Sequence, residues 1–278
     1  MALVVNSNIA SLNAINNLNR TNGSLSDTFG RISSGLRINS AADDAAGLAV
    51  AENLNAHTRS LAVAKRNAND GIGMVQVAEG ATNEVAELLK RMRELAVQSS
   101  SETLASTERN YLVTEFDELK SEMDRIAVTT EFNGVGLTRG TASGSATNLS
   151  IQVGLHGTSN DRIKIELSDL QSTALGLQST AVSSVANAQT AIGTIDTALD
   201  TVNKQRATFG AAQSRLDSAV RSIDTYSQAL SAAESQIRDA DFAYEAAEMA
   251  KQQIMQQAGT AILAQANNLN AGALRLIG

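Results

Sequence analysis

In 278 residues the chain contains no proline, where a usage of about 5% is ordinary. Proline removes a backbone donor and clashes with the preceding turn. Its absence leaves every N–H free to bond and sets no ceiling on helix length. Much of the apolar content is alanine, the strongest intrinsic helix former and a small one. Aromatic residues make up only 3% of the chain, with no tryptophan. Such side chains fill narrow seams between helices better than a wide globular core. The expectation is a mainly α protein: an elongated helical rod or coiled-coil bundle with much exposed surface, marginally stable over part of its length.

Two stripes mark the ends. Near the N-terminus Ile15, Leu18, Leu25, Phe29, Ile32 and Leu36 alternate spacings of three and four, with Asn22 in the vacant slot. That is a heptad seam carrying one polar register residue; Ile9 and Leu12 precede it. Toward the C-terminus Ala243, Ala247, Ala250, Ile254, Ala258, Ile262, Gln265, Leu269, Ala273 and Leu276 step by threes and fours again. Each stripe is too polar around its circumference to hold a helix alone. The expectation is that residues 1–42 and 240–278 pair as one discontinuous inner coiled-coil domain, leaving 43–239 as an outer helical domain. Within the outer part, helices are expected over about 43–99, 108–128 and 183–238. Residues 132–170 depart from the pattern, with Leu149, Ile151, Val153 and then Ile163, Ile165, Leu167 alternating about the turn cluster HGTSND. They read as a β-hairpin.

Sites of chemistry are not expected. His57 and His156 are the only histidines, in unlike settings, and Gly71 and Gly73 make no phosphate-binding fingerprint. No cysteine is present, which removes disulfides and thiolate metal sites. With 22 Lys+Arg against 29 Asp+Glu and no block of like sign, the net charge of −7 offers nothing to nucleic acid or an anionic membrane. The start shows neither a signal peptide nor a spanning segment. No enzyme activity, cofactor or metal is anticipated. The stretch RISSGLRINSAADDAAGLAV (31–50) groups Ser, Arg and paired carboxylates as an active site would. Capping explains them better: Ser40 as N-cap with Asp43 three residues on, both Asp43 and Asp44 lying in a first helical turn. Gly35, Arg37, Asn39, Ser40, Asp43, Asp44 and Gly47 then form a spoke between the inner and outer parts, its glycines allowing bends or close approach.

Residues 32–54 (ISSGLRINSAADDAAGLAVAENL) closely resemble the N-terminal signature of bacterial flagellins. So do RMRELAVQSS (91–100), EFNGVGLTRG (131–140), SQIRDADFAYEAAEMAK (235–251) and QQAGTAILAQANNLNAGALRLIG (256–278). Ala42 and the proline-free ending depart from well-known members. The resemblance implies a short flagellin made of the filament core, without a large variable outer domain. It implies a structural subunit that self-polymerises into the flagellar filament. The terminal helices would be largely disordered in the monomer and order on assembly. The polymerisation seam would be Ile9, Leu12, Ile15, Leu18, Leu25, Phe29, Ile32 and Leu36 with Ile254, Ile262, Leu269 and Leu276. The resemblance further implies type III export without a cleaved leader, an export chaperone on the C-terminal segment, and filament cap and junction proteins as neighbours. A Toll-like innate immune receptor is implied at Arg91, Leu95 and Glu115. The alternative is a hook–filament junction protein, which shares such ends.

Overall fold

A computed structural model describes residues 7–139 and 148–274. Leu276 lies outside them, and the side chain of Leu269 is likewise outside what is described. The described residues form five long helices: α1 (Ile9–Ser34), α2 (Ala45–Ser99), α3 (Ser106–Thr129), α4 (Val185–Arg238) and α5 (Phe242–Leu274). Two small antiparallel ladders accompany them: β1 (Glu131–Phe132) with β2 (Val135–Gly136), and β3 (Asn148–Gln152) with β4 (Arg162–Glu166). The fold is mainly α, and the observed helix bounds fall within about three residues of the expected ones.

The chain divides into two compact units, Met1–Thr58 with Gln228–Gly278, and Arg59–Ser227. The terminal unit therefore takes in more chain than residues 1–42 and 240–278. Side-chain bonds account for the addition: Arg238 Nη1 reaches Glu52 Oε1 at 2.9 Å, and Asn55 Nδ2 donates to Glu234 Oε1 at 3.1 Å. These tie the first turns of α2 to the last turns of α4.

In the unit Arg59–Ser227 the apolar residues form two clusters. Leu89, Met92 and Leu95 of α2 meet Phe116 and Met123 of α3, and Ile195 and Val202 of α4. Leu170, Leu177 and Val182, from the segment leading to α4, close this cluster. In the other cluster Val75 of α2 and Phe209 and Leu216 of α4 take the inward face of β4, with Ile163 and Ile165. Leu149 pairs Ile165, and Ile151 pairs Ile163, so the alternation read from the sequence sets the register. Gly71 makes room for this ladder, since a Cβ there would lie 3.2 Å from Ile151 Cγ1. Gln205 fixes the exit from β4, donating to the Glu166 carbonyl at 2.7 Å and accepting from Ser168 Oγ at 2.5 Å.

β1 and β2 were not anticipated. Asn133 (φ 51°) and Gly134 (φ 77°) make the two-residue turn between them, the Asn-Gly choice favoured where both central residues need positive φ. Leu137 and Thr138 follow directly and are fully buried, Thr138 Oγ1 donating to the Ala127 carbonyl at 2.9 Å.

Candidate assembly interface

Within the terminal unit α1 packs against α5. The buried positions of α1 are Ser11, Ala14 and Thr28, with Leu18, Thr21 and Leu25 half-buried between them. On α5 the inward positions are Glu245, Met249, Gln252, Gln256, Gly259, Leu263 and Ala266. Both sets hold a seven-residue repeat, 11-18-25 with 14-21-28, and 245-252-259-266 with 249-256-263, the spacing that keeps a seam facing its partner. Only three of those inward positions carry leucine. The helices approach over small residues, so that a Cβ on Gly259 would sit 3.3 Å from Leu18 Cδ1.

Polar groups along the seam find partners across it. Asn8 Nδ2 donates to the Ala266 carbonyl at 2.9 Å, and Ser11 Oγ to Asn267 Oδ1 at 3.0 Å. Gln256 Nε2 donates to Asn22 Oδ1 at 2.8 Å, the residue that stood out in the N-terminal stripe. Arg31 Nη1 reaches Glu245 Oε1 at 3.3 Å, with the Glu245 side chain only 5% exposed and Arg31 35%. Unpaired buried polar groups cost more than their bonds return. A ladder of complementary pairs therefore penalises slippage of one helix on the other.

The apolar stripe read from the sequence is, for the most part, not this intramolecular seam. Ile9 (64% exposed), Leu12, Ile15 and Phe29 (65%) face solvent on α1, and Ile254 (66%) and Ile262 (61%) do so on α5. Leu18, Leu25 and Ile32 are half-buried and belong to both faces. Leu36 is corrected as well. Gly35 takes a left-handed φ of 72° as C-cap of α1 and donates to the Arg31 carbonyl at 2.8 Å. Leu36 thus leaves the helix and bridges Asp239 instead. Ranking positions by bulk picks the outward faces, because the inward ones are filled by Ser, Ala, Gly and Gln. The strict step of seven on α5 was the available signal; the apolar reading there stepped by fours at 254-258-262. A groove of about 670 Å³ opens between the two helices, lined by Leu18, Thr21, Gln252, Met255, Gly259 and Ile262.

The joint after α1 is built largely from the spoke residues. The Arg37 amide donates to the Arg238 carbonyl at 2.7 Å, and Arg37 Nη2 to the Ile237 carbonyl at 2.7 Å. Asp43 and Asp44 divide their labour differently from the expected cap. Asp43 Oδ2 looks back, accepting from the amides of Ser40 (2.8 Å) and Asn39 (3.2 Å) and from Ser40 Oγ (3.1 Å). Those donors, the Ser40 amide foremost, hold its carboxyl below the ordinary carboxylate range. Helix α2 begins at Ala45, and its cap is Asp44, whose Oδ1 accepts from the Gly47 amide at 2.9 Å. Ser40 is therefore not the N-cap; it lies in the turn that Asp43 closes.

In the other unit Arg91 and Glu115 meet across α2 and α3, with Nη2–Oε1 at 2.7 Å, and Arg91 also reaches Glu94 at 3.0 Å. Donating to Glu115 and then Glu94 stabilises the charged guanidinium and raises its pKa. Leu95 does not join them at the surface. It is fully buried in the three-helix cluster, because α2 turns that side toward α3 and α4. No helix among the described residues is long and apolar enough to cross a membrane.

Residues 5–143 match the profile of the bacterial flagellin N-terminal helical region, and residues 192–277 that of the C-terminal helical region. The chain is 43% identical over 182 residues to the phase 2 flagellin of Salmonella typhimurium, covering 66% of this chain and 35% of that one. It is 42% identical to a flagellin of Xenorhabdus nematophila, covering 66% of this chain and 56% of that one. The chain thus aligns with about a third to just over half the length of these relatives. Among solved structures, Bacillus cereus flagellin superposes with a TM-score of 0.51 at 32% identity, covering 57% of this chain and 88% of that one. A putative flagellar hook-associated protein from Vibrio parahaemolyticus shares the fold, with a TM-score of 0.58 at 14% identity, covering 71% and 100%.

Proposed function

The chain belongs to the bacterial flagellin family, and on that premise we propose that it is the structural subunit of a flagellar filament, polymerising outside the cell into the propeller used for swimming. One observation carries the reading. Ile9, Leu12, Ile15, Phe29, Ile254 and Ile262 lie exposed on two helices whose mutual seam is already filled by other residues. Large apolar side chains in such a row mark an interaction surface, and burying each completely is worth about 1.5–3 kcal/mol. The groove beside Leu18 and Gly259 offers a seat for such a side chain from a neighbouring copy. Ile262 belongs to both the row and the groove, but Ile9, Leu12, Ile15, Phe29 and Ile254 lie outside the groove. One of these seated in the groove of the next copy makes a head-to-tail contact; when the rotation does not close, the product is a helical filament. The inner seam, with its register held by hydrogen bonds, sets the spacing at which the outer apolar residues are presented.

The same reading carries export through the flagellar type III channel, a chaperone holding the C-terminal segment, and cap and junction proteins as neighbours. It requires no cofactor, catalysis, nucleic acid or membrane partner. A Toll-like receptor reading this chain would meet the Arg91–Glu115 pair and not Leu95, which is buried. The hook–filament junction reading is disfavoured, since the relatives of higher identity carry the name flagellin.

Electron microscopy of the purified chain, alone and on filament seeds, tests the proposal. Long filaments are expected from the full chain and none from a chain lacking residues 244–278. Filaments of normal length from the truncated chain would refute the role given to the termini. Only short, self-limiting assemblies from the full chain would favour the junction protein.

A further inference from the structure

The sequence contains two Asn-Gly steps, Asn22-Gly23 and Asn133-Gly134, and the structure places them in opposite settings. Asn22 lies inside α1, where the helix engages the backbone, and its side-chain oxygen accepts from Gln256 at 2.8 Å. Asn133 lies at the tip of the β1–β2 turn with φ 51°, beside Gly134 at φ 77°, and both residues are exposed. A Cβ placed on Gly134 would meet nothing within 4 Å, so this side of the turn is open. The Asn133 side chain makes no hydrogen bond to any described residue. The ladder behind it has only two residue pairs, Glu131 with Gly136 and Phe132 with Val135. So short a ladder opens locally at little free-energy cost.

We propose that Asn133 is a self-modification site, at which the chain converts its own side-chain amide without an enzyme. The Gly134 amide nitrogen, unhindered by a Cβ, gives up its proton and attacks Asn133 Cγ. A C–N bond forms, the Cγ–N bond to the side-chain nitrogen breaks, and that nitrogen leaves with the proton as ammonia. The resulting five-membered succinimide is opened by one water molecule. Attack at the side-chain carbonyl gives aspartate, and attack at the main-chain carbonyl gives isoaspartate. No oxidant, reductant or cofactor enters. Either product adds a negative charge, and isoaspartate also lengthens the main chain by one methylene. A two-residue turn with that extra atom cannot keep Phe132 opposite Val135. The segment it would disturb includes Leu137, whose amide donates to the Thr130 carbonyl at 3.1 Å, and Thr138, whose carbonyl accepts from the Leu170 amide at 2.9 Å. The site is therefore a slow clock that loosens the end of α3 as the protein ages.

Incubation of the full chain in neutral buffer, with tryptic peptides followed by mass spectrometry, tests this. Peptide 126–139 holds Asn133 and peptide 21–31 holds Asn22. Progressive conversion of the Asn133 peptide is expected, with isoaspartate as well as aspartate in the product and the Asn22 peptide lagging behind. An unchanged Asn133 peptide would overturn the proposal, as would product containing aspartate alone, because direct hydrolysis makes no isoaspartate. Ammonia release gives a second reading. Asn133→Asp retains a residue that tolerates positive φ and removes the leaving nitrogen, so it should abolish most early ammonia; release at the wild-type rate would also overturn the proposal.

Discussion

A methyl group at Gly47 would lie 2.5 Å from Asp44 Oδ2 and 2.7 Å from Ile38 Cδ1. Neither neighbour is free to retreat, since Asp44 caps α2 through the Gly47 amide and Ile38 is buried. Gly47→Ala is therefore expected to destabilise the terminal unit by about 1–3 kcal/mol, read as a lower midpoint in thermal unfolding, although alanine is the better helix former. Asp43 gives a pH prediction of definite sign. Its folded pKa is depressed by the Ser40 and Asn39 donors, so its contribution to stability is present above the unfolded value, about 3.9. That contribution falls away as pH drops through the folded value. An NMR titration of the Asp43 carboxyl should show a midpoint below the ordinary range, and Asp43→Asn should flatten the acid-side loss of stability. The sequence foresaw capping chemistry here but set the N-cap at Ser40, four residues before Asp44, which caps the helix. Two adjacent aspartates both suit a helix start, and only the backbone direction decides that Asp43 closes the turn while Asp44 caps the helix.

Between α1 and α5 the Glu245 carboxylate is buried against Arg31, so the two must be altered together if the seam is to survive. Arg31→Ala should cost about 1–3 kcal/mol by leaving a charge without its partner. Adding Glu245→Gln should restore part of that loss, and a double-mutant cycle in denaturant reads the coupling. The helices themselves were legible because a proline-free, alanine-rich chain repeats its apolar residues by threes and fours. Their pairing was legible too; which face made it was not. Ser11, Ala14 and Gly259 carry no apolar signature, and their value lies in how close they let the backbones come. The β3–β4 ladder declared itself through period-two alternation. The β1–β2 pair, two residues a side, has no period to detect, and the Asn-Gly step at its centre was the signal passed over. Leu95 was read with Arg91 because i and i+4 share a face in projection. A helix packed on two sides leaves only a narrow strip of that face in water.

For the chain as a whole, deleting residues 244–278 should abolish filaments while leaving circular dichroism consistent with intact α2, α3 and most of α4. Both apolar clusters of the unit Arg59–Ser227 lie outside the deleted segment. The contrast between the two units also has a calorimetric consequence. Exposing apolar surface raises heat capacity on unfolding, and exposing polar surface lowers it. The unit built on Phe116, Phe209 and Leu216 should melt with a large heat-capacity step and a strongly curved stability profile. The α1–α5 seam mixes Leu18, Leu25, Met249 and Leu263 with Ser, Thr, Gln, Gly and Ala, so it releases a larger polar share when it opens. It should part with a smaller heat-capacity change per residue than that unit, and cooling should weaken it less than the apolar contacts Ile9, Phe29, Ile254 and Ile262 would make between copies.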